Sequence, residues 1–176
     1  GSLPTNPLDD KDVVGLIEVQ TEAPKKIISR ARSPVFNRLN WIRAYNLDDK
    51  LLAQKINFKF NDPKLNKVSE LISQSISNTK PEKKITDSWL FWSEGSVGTG
   101  TVKATSKSSK KEIDTNAVTL GMDKKINNQL VHGYSITYIQ EDAKVGDKGT
   151  SSDIDSYSLS LYRAFSQGNN NHFEGI

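Results

Sequence analysis

Three glycines fall within six residues in the stretch WSEGSVGTG, Trp92–Gly100, a density that suits close approach of the backbone to an anion. A phosphate-cradling loop needs more than glycine. It requires N–H groups at the start of a helix, or a Lys followed by Ser or Thr just after the glycines. The next residues are TVKATSKSSKK, β-branched and then polar, with no apolar helical period. Nucleotide binding is therefore not expected. His132 and His172 are the only histidines, and no Ser–His–acid arrangement accompanies them. Asp142, Asp147, Asp153 and Asp155 surround one loop, but their spacing matches no defined calcium loop. Cysteine is absent, which removes disulfides, thiolate metal sites and thiol nucleophiles together. No catalytic residue, no metal and no cofactor is expected. Glu94 and Asp123 remain as carboxylates to be solvated or paired with Lys or Arg.

Composition narrows the classes further. Hydrophobic residues make up 35% of the 176, so a soluble core would be lean. The net charge of +3 is close to balance and implies no nucleic-acid partner. Basic residues are in excess over 1–85 and acidic ones slightly in excess over 86–176. No run of 18 apolar residues exists, and GSLPTNPLDD lacks a charged region followed by an apolar one, so neither a transmembrane helix nor a signal peptide is read in this chain. Transmembrane strands stay open, because their alternating polarity barely registers on a hydropathy scan.

The elements that position these residues divide at about 85. Residues 1–10 read as linker. Val13, Leu16, Ile17, Ile27, Ile28, Val35, Phe36, Leu39 and Ile42 take helical intervals, and Pro24 and Pro34 predict a break into two or three helical pieces. Lys25, Lys26, Arg30, Arg32, Arg38 and Arg43 form the polar face, read as solvated or as a partner surface. Ile56, Phe58 and Phe60 suggest a short strand, residues 64–77 a second amphipathic helix, and 78–84 a polar linker.

Beyond 85 lie four long alternating segments, at about 86–104, 111–125, 129–142 and 153–166. Val118, Leu120 and Met122 oppose Thr119, Gly121 and Asp123. Tyr134, Ile136 and Tyr138 oppose Gly133, Ser135 and Thr137. Tyr157, Leu159 and Leu161 oppose Ser156, Ser158, Ser160 and Tyr162. One face is apolar and aromatic, the other small and polar. The residues KKINNQ predict a tight turn, and AKVGDKGTSS at 143–152 a long connection, together fitting an up-and-down antiparallel sheet. Gly98 and Gly100 share a face with Glu94 and Ser96. They read either as a bend or bulge or as small residues beside something bulky.

Taken in order, DSWLFWSEGSVGTG, TLGMD, HGYSITY, DIDSYSLSLY and FEGI resemble the opening strands of the autotransporter β-domain, the outer-membrane translocator of type V secretion. VVGLIEVQ through VFNRLNWIRAYN resembles the segment that precedes such barrels. The resemblance implies a β-barrel of about twelve strands in the outer membrane of a Gram-negative bacterium, threaded by a helix and carrying an N-terminal passenger. It divides the chain into a helical segment at 1–85 and the first strands of the barrel at 86–176, a truncated mainly-β fold. Ending at Ile176 inside a fifth strand, the chain reads as a fragment. Implied partners are outer-membrane lipid, the chain's own passenger and lumen helix, and the barrel-assembly machinery. Glu94, Ser96, Gly98, Gly100, Gly121, Asp123, Gly133, Ser135, Ser158 and Ser160 would face the lumen. Val118, Leu120, Met122, Tyr134, Ile136, Tyr138, Tyr157, Leu159 and Leu161 would face lipid.

The competing reading is a soluble all-β binding or adhesive module at the cell surface. There a helix would cover the apolar sheet face, where burial is most favourable. In a translocator it would instead lie on the small, polar face. Trp89, Trp92, Tyr134, Tyr138, Tyr157 and Tyr162 suit an interfacial girdle or a sandwich core alike.

Overall fold

A computed structural model describes residues 6–44, 89–127, 129–166 and 172–175. The strand expected at 56–60, the helix at 64–77, the linker at 78–84 and the division at 85 lie outside these residues. One helix, α1 (Lys11–Ala44), succeeds a short 3₁₀ turn at Pro7–Asp9. Five strands come after it: β1 (Leu90–Val102), β2 (Lys111–Lys125), β3 (Leu130–Val145), β4 (Thr150–Ser166) and β5 (His172–Gly175). They form one antiparallel sheet in chain order, with Arg163 opposite Gly175 and Ser166 opposite His172 between β4 and β5. The fold is mainly β, as the alternation predicted. No helix among the described residues is long and apolar enough to cross a membrane.

The helix corrects one expectation. Pro24 and Pro34 do not divide it: α1 runs unbroken for 34 residues. Each proline removes a backbone donor at a local cost of about 3 kcal/mol. Tertiary packing outweighs that loss, as it commonly does for helices in folded chains. Asp10 accepts at Oδ1 from Asp12 N at 2.9 Å and caps the N-terminus.

Contacts group the described residues into two compact units, each containing part of α1 and of the strands. In the first, Gly1–Arg30 joins Ser96–Ala117 and Tyr138–Tyr157. Val19 packs there with Ala143, Val145 and Ile113. In the second, Ala31–Gly95 joins Val118–Thr137 and Ser158–Ile176. Val35 and Leu39 pack there with Trp92 and Tyr162, and Ile42 with Val131.

Connections obey local chemistry. Between β2 and β3, Asn127 Oδ1 accepts from the N–H groups of Gln129 and Leu130, both at 2.8 Å, and closes a tight turn. The connection expected over 143–152 is instead only four residues. Ala143 and Val145 are drawn into β3 by burial against Val19, and Gly146 and Gly149 turn the chain at φ of 64° and 81°. Gly146 also lies against the Asp12 carboxylate, whereas nothing lies within 4 Å of a Cβ placed at Gly149. Gly149→Ala is accordingly expected to cost about 1 kcal/mol, the left-handed backbone term alone, and Gly146→Ala measurably more. Urea unfolding in detergent micelles, followed by tryptophan fluorescence, checks the order.

Candidate functional site

The sheet face touched by α1 is the small and polar one. In the second unit, a four-membered polar chain is seated there. Arg38 on α1 donates to Asp123 on β2 through two bonds, Nε to Oδ2 at 2.7 Å and Nη2 to Oδ1 at 3.0 Å. Tyr162 on β4 donates its hydroxyl to the same Oδ2 at 2.9 Å, and Trp92 on β1 donates Nε1–H to the Tyr162 hydroxyl at 2.7 Å. Arg38 is 8% exposed and Asp123 1%, so the pair is buried, and of the two readings of the basic face, solvated or partner surface, Arg38 takes the second. The guanidinium also lies 4.7 Å over the Trp41 ring.

Glycine makes room for these rings. A Cβ at Gly121 would fall inside the Trp92 indole, and one at Gly133 inside the Tyr162 ring. These two aromatics are therefore inside the packed layer, not on the opposite surface. Nearby, Asn37 donates to Glu94 Oε1 at 2.8 Å, and Thr119 and Thr137 share a hydroxyl bond at 2.8 Å.

The first unit repeats the theme with different residues. Arg30 is the bulky neighbour of Gly98, its Nη2 only 3.0 Å from where a Cβ would stand. Gly100 has no such neighbour: the nearest atom to its Cβ position is the Ile113 carbonyl oxygen at 4.0 Å. Glu18 on α1 accepts from Lys111 and, at 2.8 Å, from the Ser108 hydroxyl. Asp12 accepts from Ser109, whose N–H donates to Lys11 O at 3.1 Å. Every one of these links joins α1 to a strand or a strand-connecting loop.

The other face is open. Along β4 the odd residues are exposed, Tyr157 at 75% and Leu159 at 81%, while the even residues alternate with them as half-buried or buried. On β3, Tyr134 and Ile136 are exposed and Tyr138 is half-buried, donating to Asp155 Oδ1 at 2.7 Å. Leu120 and Met122 are half-buried. Val118 shares their alternation but is 4% exposed. Among the small residues of the helix side, Gly121, Asp123, Gly133 and Ser135 are buried, Glu94, Gly98, Ser158 and Ser160 half-buried, and Ser96 and Gly100 exposed.

Residues 91–176 match the model of the autotransporter β-domain family. This segment is an autotransporter β-domain. Neither curated proteins nor solved structures give a match to the chain. Membership carries a translocator or anchor role in general, a role without catalysis of its own.

Sequence reasoning left Asp123 to be solvated or paired with Lys or Arg without naming Arg38 as the partner, and it missed the roles of Trp92 and Tyr162 and two further buried residues of the autotransporter β-domain. Glu141 is 1% exposed, with Thr115 Oγ1 3.5 Å from its Oε2, and Lys111 is buried beside Glu18. Parity carried the signal. Glu141 shares its face of β3 with Gly133 and Ser135, and Tyr162 shares its face of β4 with Ser160.

Proposed function

We propose that this chain belongs to an outer-membrane anchor and conduit through which an N-terminal passenger is secreted or displayed, with α1 lying in the barrel lumen. The observation that supports it most is which sheet face α1 covers. Arg38 is buried against Asp123 on the small, polar face, while Leu159, Ile136 and Tyr157 on the apolar face stay exposed. A soluble module gains most by the opposite arrangement, because uncovered apolar surface is costly in water. In a bilayer the exposed face meets hydrocarbon and the polar face meets the lumen.

On this reading, Glu94, Ser96, Gly98, Gly100, Gly121, Asp123, Gly133, Ser135, Ser158 and Ser160 line the lumen. Val118, Leu120, Met122, Tyr134, Ile136, Tyr138, Tyr157, Leu159 and Leu161 face lipid. Residues 1–85 precede the barrel and 86–176 begin it. β1 to β4 contain 13, 15, 16 and 17 residues, above the roughly 9–11 that a tilted strand needs to span. A sheet with unpaired edges is not viable in hydrocarbon, so the functional barrel closes with further strands and relies on the barrel-assembly machinery to do so.

An epitope placed before Lys11 in the full-length protein tests this in intact Gram-negative cells. The protein is expected in the outer-membrane fraction, with the epitope cleaved by protease added outside. Recovery of the protein in a soluble fraction with a protected epitope would refute the proposal.

A further inference from the structure

The apolar sheet face carries one cation whose surroundings form a built site. Arg163 on β4 is exposed and donates Nε to His132 Nδ1 on β3 at 3.3 Å. His132 packs edge-on against Tyr134, with centroids 4.7 Å apart and planes at 86°, and Tyr134 lies 5.9 Å from Trp89. All four belong to the second unit. Leu161 and Ile136 continue the same face as exposed apolar residues. Among the described residues no carboxylate pairs with Arg163.

From this cluster we infer a binding site for the phosphodiester of a phospholipid headgroup, held by the Arg163 guanidinium against the His132–Tyr134–Trp89 platform. The inference rests on the outer-membrane reading above. An Arg on a lipid-facing surface is costly at the bilayer centre and nearly free at the interface, and Trp and Tyr concentrate at that same level. Among the described residues this guanidinium bonds only through Nε, which leaves both terminal nitrogens for a phosphate, whose oxygens match the planar fork. The His132 acceptor orients the fork, and the aromatic rings receive the glycerol and upper acyl region beside it. Leu161 and Ile136 then border the chains. The site would lie in the leaflet on the side of the 126–129 turn.

Native mass spectrometry of the full-length protein in detergent, titrated with dimyristoylphosphatidylglycerol, tests the site. The wild type is expected to retain the lipid, Arg163→Gln to lower the bound fraction at least about fivefold, and Arg163→Lys to fall between, since an ammonium keeps charge but not the fork. Lys144→Gln, an exposed charge on the same β3 strand away from the platform, should leave binding unchanged. Should Arg163→Gln not fold, His132→Ala serves in its place and is expected to weaken retention about threefold by freeing the guanidinium. Dimyristoylglycerol, which lacks phosphate, should not compete. Equal retention by wild type and Arg163→Gln, an equal loss in Lys144→Gln, or full competition by dimyristoylglycerol would each overturn the inference. Flotation with phosphatidylglycerol vesicles separates the levels. A protein that fails to float loses both the membrane reading and this site, whereas one that floats but retains lipid regardless of residue 163 loses only the site.

Discussion

Asp123→Ala is expected to destabilise the protein by about 3–5 kcal/mol, the range for removing one partner of a buried ion pair. The carboxylate is 1% exposed and accepts from Arg38 twice and from Tyr162 once. Its loss strands a guanidinium that has little water to turn to, and leaves the Tyr162 hydroxyl without its acceptor. The double change Arg38→Met with Asp123→Leu removes both charges, and is expected to recover most of the loss because the stranded charge causes most of the damage. Urea titration in micelles measures both. A loss below about 1 kcal/mol for Asp123→Ala would mean that the pair behaves as a solvated one.

Gly133→Val should be nearly as damaging, at about 3 kcal/mol, since overpacking alone costs about 1–3 kcal/mol and here it also displaces a hydrogen-bonded ring. The Tyr162 ring occupies the space above Gly133. Shifting it breaks the bonds to Asp123 and from Trp92. Combining Gly133→Val with Tyr162→Ala opens that space, so the double variant should be less than the sum of the two single losses by about 1 kcal/mol or more. Additive losses in the thermodynamic cycle would show that ring and glycine are not coupled.

Strand order was legible because period-two alternation is a local signal. The four segments, their polar turns and the division into an apolar and a small face all derive from it. Strand ends were less legible. Ser151, Ser152 and Lys144 look like loop residues, yet they belong to strands whose partners and whose buried Ala143 and Val145 decide the matter. The helix was harder still. Amphipathic reasoning picked out Val35, Leu39 and Ile42, which are buried, but also Ile17, Ile28 and Phe36, which are exposed. The buried face runs through Asp12, Gly15, Val19 and Ala23 in one unit and Ala31, Val35, Arg38 and Leu39 in the other. A helix that packs on a polar surface also buries small and charged residues such as Gly15, Ala31 and Arg38, so the usual rule finds only part of the buried face. The persistence of α1 through two prolines has the same origin, in tertiary contacts that no local propensity encodes. For the site, residue parity put Asp123 and Tyr162 on one face, but only the fold brings Arg38, 85 positions from Asp123 in the chain, into reach.

Oxygen collision accessibility of nitroxides at Leu159 and at Ser158, two adjacent residues of β4 on opposite faces, decides whether the apolar face meets lipid and the polar face meets α1. With the full-length protein in phospholipid vesicles, high oxygen accessibility is expected at 159, where the label enters hydrocarbon, and low accessibility at 158, where it meets the helix side. A protected label at 159 beside an accessible one at 158 would place the apolar face inside the protein and contradict the lumenal position of α1.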